Sequence, residues 1–224
     1  MKFHEAKQLI QKKLAHYKPR KLSIPGAIPA AVLIPLFNKQ GQPHVLFTLR
    51  TEKVEHHKGQ ISFPGGALES QDKNLLQTAL REVEEEVGIP RQQFTVLGEL
   101  DDFLTVTNFL VTPFVALLAY PFKAHPNDFE VAELLEVPLE IFLTDRYFHL
   151  EEREYHQRKF PVYFYDFQGY SIWGATAFMM NRFVELVFNF NPGPYSVLDD
   201  PRNEWYLNEN KVRRARTFPP NEKR

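Results

Sequence analysis

The stretch from Leu76 to Ile89 constrains this chain more than any other, because its periodicity admits a helix and little else. Leu76, Ala79, Leu80, Val83 and Val87 fall on one helical face, with Asp72 as the expected N-cap and Gly88 and Pro90 as the stop. At about 100° per residue, Glu82, Glu85 and Glu86 lie beside that face within an arc of about 100°, whereas Glu84 points nearly the other way. Like charges at these spacings repel by roughly 0.2–0.5 kcal/mol per pair in water, and by more beside an apolar wall. Something cationic should therefore offset them, and crowded hard oxygens suit Mg2+ or Mn2+. Most glutamate-rich helices are simply solvated. Here Gly65 and Gly66 precede the helix and let backbone groups and a phosphate come close, which favours a site.

The rest of the chain reads as an ordinary globular body around this helix. With 224 residues it is long enough for one core domain with extensions, which we place at 28–190, preceded by an N-terminal helix and linker (1–27) and followed by a C-terminal extension (191–224). No apolar run approaches the roughly 20 residues needed to span a bilayer, no secretory leader is visible and there is no cysteine, so a soluble, cytoplasmic protein is expected. The 27 basic and 28 acidic side chains nearly cancel, so no global field would recruit nucleic acid or an anionic membrane. An anionic substrate must be met locally. The basic run Lys211 to Arg216 reads as a solvated end.

Phe3, Ala6, Leu9, Ile10, Leu14 and Tyr17 predict an amphipathic helix over Phe3 to His16. Ile28 to Phe37 and His44 to Arg50 predict a hairpin about Asn38, Gly41 and Pro43. Gln60 to Phe63 reads as a short strand that gives way to a loop at Pro64. Further strands are expected at Thr95–Leu100, Phe109–Leu118, Tyr147–Leu150 and Val162–Phe167, and a closing helix at Ala175–Phe188.

Gly66, Asp72, Arg81, Glu82, Val83, Glu85, Glu86, Gly88 and Ile89 resemble the Nudix box. The first acid of the common box is glutamate; here it is Asp72, separated from Arg81 by eight residues, one more than usual. Both departures resemble the coenzyme A diphosphatase branch of the family. That likeness extends to Leu46, Thr48, Arg50, Gly59, Phe63, Pro64, Gly65 and Gly66 upstream, with Phe47 and Thr51 as mild departures and Glu55 where the branch has arginine. It extends also to Val111–Pro113, Glu130–Leu139 and Trp173–Ala177, and so covers about Pro29 to Val187.

The resemblance implies an α/β (α+β) Nudix fold, an α/β/α sandwich with a mixed central sheet, and a hydrolase using Mg2+ or Mn2+. Its substrate would be a small nucleotide conjugate, with coenzyme A foremost and ADP-ribose, a nucleotide sugar or an oxidised nucleoside triphosphate as alternatives. It implies metal ligation by Glu82, Glu86 and the Gly65 carbonyl, with Glu85 joining them or holding a water, and orientation of the glutamates by Arg81. The general base is left between Glu82 and a later loop carboxylate, Glu130 or Glu133. Arg50 and His57, with Gly65 and Gly66, are candidates to meet the substrate, though either side chain could equally be a surface group. Trp173 is read as core packing rather than as a base-stacking platform. A binding module with a decayed site would have lost an acid, and an isomerase on this fold would need a cysteine that the chain lacks. A homodimer is left open.

Overall fold

The run of Ile, Ala, Val, Leu and Phe after Gly26 becomes the centre of the sheet in the computed structural model, which describes residues 1–54, 57–155 and 158–193. This strand, β1 (Ile28–Lys39), turns through Gln40 and Gly41, both at positive φ, into antiparallel β2 (Gln42–Arg50). The hairpin is the expected one, each strand longer by two residues at the turn. Two short strands follow, β3 (Ile61–Ser62) on β2 and β4 (Gly65–Ala67) on β1. The glycine segment is therefore not the loop expected from sequence: Gly65 and Gly66 run antiparallel to Val32 and Ala31.

The outer strands are β5 (Phe94–Glu99), β6 (Phe103–Leu104), β7 (Phe109–Leu118) and β8 (Val131–Pro138). β7 lies parallel to β1 and the remaining pairs are antiparallel, giving a mixed sheet of eight strands. β1 is buried on both faces, which explains why it reads as a continuous apolar run rather than an alternating one. A second antiparallel sheet joins β9 (Phe148–Tyr155), β10 (Arg158–Phe167) and β11 (Tyr170–Trp173). β6, β8 and β11 were not anticipated from sequence.

Helices cover both faces of the main sheet. On one, α1 (Phe3–Leu14), α3 (Gly174–Phe188) and the second sheet pack over Ile34, Val45, Phe47 and Val115. On the other, α2 (Leu75–Val87) sets Ala79, Val83 and Val87 on Leu33, Phe37, Leu46 and Phe114. This is the expected sandwich, with a three-stranded sheet sharing one outer layer. Val83, Val87 and Ile89 are wholly buried, each contributing roughly 1.5–3 kcal/mol by leaving water. Asn74, not Asp72, caps α2: its side-chain oxygen accepts the Gln77 N–H at 3.0 Å. Gly88 ends the helix at φ +68°. Among the described residues no helix is long and apolar enough to cross a membrane.

Candidate functional site

Packing of Val83 and Val87 onto the sheet sets the rotation of α2 and hence the direction of every glutamate on it. Glu84 turns outward to Arg91, with Nε at 2.7 Å and Nη2 at 2.5 Å. Glu82 and Glu86 turn toward β4. The Gly65 N–H donates to Glu86 Oε2 at 3.1 Å, and Arg50 Nη1 donates to Oε1 at 3.2 Å. Glu86 is only 2% exposed, and burial first of all pushes its carboxyl up to about 7 against the lowering pull of the Gly65 N–H and Arg50. Burial likewise raises Glu82, opposed by Arg81. A Cβ on Gly66 would lie 2.3 Å from Glu82 Oε1, so the carboxylate stands directly over a strip of bare backbone.

Arg81 is the hub beneath this patch. Its Nε and Nη2 donate to Asp72 at 3.1 and 3.0 Å and Nη2 also to the Ala67 carbonyl at 3.2 Å, while Nη1 meets Glu82 at 2.9 Å and Glu85 at 2.8 Å. Hydrogen bonds from Arg81 hold Asp72 down to about 2, well below the usual carboxylate range, and those to Asp72 push the guanidinium up in turn. Asp72 thus serves as Arg81's anchor. Its expected second role as helix cap belongs to Asn74.

The three glutamates expected to converge do so unequally. Glu85 is the outlier, 56% exposed and tied to Arg81. Among the described residues no three Asp, Glu or His groups are clustered as metal ligands. Each of the three carboxylates has a cationic partner in the structure, Arg81 for Glu82 and Glu85 and Arg50 for Glu86. The donor set nonetheless fits a hard divalent ion, being all oxygen, partly buried and faced by glycine backbone.

Glu130 follows the segment that packs on the C-terminal end of α2, where its side chain accepts from Asn127 Nδ2 at 3.4 Å. The His125 and Asn127 N–H groups donate to the Val87 and Glu86 carbonyls at 3.0 and 2.9 Å, satisfying two of the acceptors that a helix C-terminus leaves open. The chain then turns so that the Glu130 charge acts on both Glu82 and Glu86. Glu133 instead accepts the Tyr170 hydroxyl at 2.8 Å. His57 is exposed, at φ +58°, with Nδ1 2.8 Å from Gln60 Oε1, and makes no contact with the glutamates. Trp173 is not core, as expected from sequence, but half-buried at the end of β11, stacked on Phe164 with Arg153 5.0 Å above its ring. Glu55 and the run Lys211 to Arg216 lie outside the described residues. A hollow of about 470 Å³ lined by Phe3, Asn38, Gln93 and Tyr120 sits at the hairpin end of β1, away from the carboxylates.

The alignment of Arg50 with Glu86 depends on the pairing of β2 with β1 and the seat of α2 on those strands, and the place of Glu130 on the C-terminal end of α2; neither has a local sequence signal.

Residues 27–160 match the model of the NUDIX domain. The chain is 43% identical over 155 residues to a Pectobacterium atrosepticum protein described as an uncharacterized Nudix hydrolase, NudL, covering 68% of this chain and 79% of that one. A protein of the same description from Photorhabdus laumondii is 40% identical over 158 residues, 70% of this chain and 84% of its own. Nudix hydrolase 15, mitochondrial, of Arabidopsis thaliana is 34% identical over 197 residues, 85% of this chain and 66% of that one. The chain therefore belongs to the Nudix hydrolases, pyrophosphatase-type enzymes that act on nucleoside diphosphate-linked substrates and generally use divalent metals.

Proposed function

We propose that the chain cleaves the diphosphate of coenzyme A or a derivative of it, releasing 3',5'-ADP and 4'-phosphopantetheine. One observation carries this reading. Arg50 and the Gly65 N–H, both from the upstream segment that resembles the coenzyme A branch, meet on the two oxygens of Glu86. The segment that distinguishes the branch thus belongs to the same site as the box.

Glu82 and Glu86, with Glu85 and the Gly65 carbonyl, are the residues we assign to hold Mg2+ or Mn2+. Such an ion, when bound, neutralises phosphate oxygens and makes water more acidic. Arg81 acts through the glutamates, fixing Glu82 and Glu85 while Asp72 and the Ala67 carbonyl fix Arg81 itself. Glu130 is the proton acceptor we favour: it lies near enough to bias Glu82 and Glu86 and is not engaged by a tyrosine as Glu133 is. Glu82, raised by burial, is the alternative acceptor. Gly66 leaves room for the Glu82 carboxylate to lie against the backbone, and Arg50 and His57 approach the substrate from the upstream segment.

The test is a panel of coenzyme A, ADP-ribose, nucleotide sugars and oxidised nucleoside triphosphates with Mg2+ and with Mn2+, products identified by mass. Preferred turnover of coenzyme A to 3',5'-ADP and 4'-phosphopantetheine is expected. Faster turnover of any other member of the panel overturns the assignment.

A further inference from the structure

Arg50 reaches α2 at the end of β2, beside an irregularity in the neighbouring strand. In the pairing of β2 with β8, Leu49 stands opposite Glu133 but Arg50 stands opposite Val131, so Ala132 is an extra residue. The bulge belongs to β8 and leaves the alternation of β2 intact. Leu46, four residues earlier on the same face, packs in the core under α2, so Arg50 continues that face toward the helix. Its N–H donates to the Gln60 carbonyl at 3.0 Å, which ties the backbone in place.

The guanidinium uses little of its donor capacity. Nη1 holds Glu86 Oε1 at 3.2 Å, while Nε is buried with no hydrogen-bond partner among the described residues. Glu86, by contrast, needs a cation, because a carboxylate buried without one is strongly destabilising. Arg50 meets that need at Oε1 while the Gly65 N–H holds Oε2, and a second cation on the same carboxylate would be repelled at close range.

We propose that Arg50 and a divalent cation are alternative partners of Glu86: the ion displaces the guanidinium from Oε1 when it binds, and the released guanidinium turns to the phosphate oxygens of the substrate. Arg50 thus links metal loading to substrate capture. An arginine suits both states, since its planar fork pairs with carboxylate and phosphate alike. The inference rests on the reading of Glu86 as a metal ligand.

The experiment uses the full chain, stripped with EDTA, and no substrate. Mn2+ is titrated into the wild type, Arg50→Gln and Arg50→Lys, with free Mn2+ followed by electron paramagnetic resonance. Loss of the competing charge should make Arg50→Gln bind Mn2+ roughly ten-fold more tightly, the size of a partly buried charge pair, and Arg50→Lys should stay within about two-fold of wild type. Stripped Arg50→Gln should also melt lower than wild type and gain more from Mn2+. Should that variant not fold, nitrogen NMR of the wild-type arginine side chains, with Arg50 assigned through Arg50→Lys, makes the same decision. Its Nε–H signal should shift on addition of Mg2+. Equal or weaker Mn2+ binding by Arg50→Gln, or an Arg50 signal unmoved at saturating Mg2+, overturns the exchange alone. A wild type that binds no Mn2+ overturns the metal reading and the exchange together.

Discussion

Glu86 and Glu84 sit two positions apart on one helix and differ in almost every physical respect. Glu86 is 2% exposed, held by a backbone N–H and a guanidinium, whereas Glu84 reaches outward to Arg91. Glu86→Gln keeps the shape and the Gly65 hydrogen bond but removes a charge from the proposed metal site, so kcat should fall on the order of a hundred-fold or more while the thermal midpoint moves little. Glu84→Gln breaks a surface pair worth roughly 0–1 kcal/mol and should leave kcat within about two-fold. Equal losses in steady-state assays of the two variants would mean that the helix is rotated from the phase described. The two glycines opposite make a second contrast. A Cβ on Gly65 would press 2.3 Å from the Ala31 carbonyl and 2.7 Å from Val32 Cα, both backbone, so Gly65→Ala should destabilise by roughly 1–3 kcal/mol in urea unfolding. On Gly66 it would meet the tip of Glu82, which can rotate away. Gly66→Ala should therefore keep its stability and lose activity, on the order of a hundred-fold for a carboxylate moved by about 1 Å. A Gly66→Ala enzyme with unchanged kcat would remove Glu82 from the site.

At the scale of elements, α2 does two things at once: its apolar face closes the core on one side of the sheet, and its two ends fix the approach of everything that meets the glutamates. The Asn74 cap starts it, Asp72 just before that cap anchors Arg81, and Gly88 lets the chain turn back so that His125 to Glu130 can pack under the last turn. Gly88 has φ +68°, and a Cβ there would come 2.3 Å from the His125 carbonyl. Gly88→Ala should thus cost roughly 1–2 kcal/mol from the left-handed backbone alone, with the clash added. Because the segment it displaces carries Glu130, kcat should fall as well. Chemical denaturation beside a kcat measurement decides this, and loss of stability with full activity would detach Glu130 from the chemistry.

For the whole molecule, the chain before β1 is sewn to the body by a buried polar network rather than by apolar contact alone. Asp101 accepts from the Tyr17 hydroxyl at 2.5 Å and from the Arg20 N–H at 2.8 Å, and it pairs with Arg182 of α3. Asp102 accepts from Thr112 at 2.6 Å and from the Leu22 N–H at 3.0 Å. Burial and the bond to Asp101 raise the Tyr17 hydroxyl above its ordinary range, which keeps it a donor. Removing one partner leaves a buried charge unmatched: Asp101→Asn should destabilise by roughly 3–5 kcal/mol, and Asp101→Leu with Arg182→Met should recover much of that. Mn2+ affinity should stay unchanged, since the network lies on the face of the sheet away from α2. Urea midpoints for the single and double variants, with Mn2+ titrations beside them, test both statements; a double variant no more stable than Asp101→Asn would show that the cost came from packing.

What the sequence determined by itself was whatever depends on short-range period and chirality. The phase of α2 follows from Ala79, Val83 and Val87, and with it the opposite courses of Glu84 and Glu86; the hairpin follows from two β-prone runs about Gly41; the box residues follow from spacing, and the family comparison agrees. Only the tertiary structure decided which cations meet the glutamates, that Gly65 and Gly66 are strand rather than loop, and that Asn74 rather than Asp72 is the cap. It alone reveals β8, whose residues mix exposed, half-buried and buried positions and whose bulge opposite Arg50 breaks the alternation that marks a strand. The cap and the Arg81 pairs were settled among near neighbours, whereas the strand pairings and the Arg50–Glu86 pair share another reason. These features depend on partners far apart in the chain, Arg50 with Val131 and Arg50 with Glu86 among them, and a pairing register or a buried ion pair leaves no periodic trace in either partner alone.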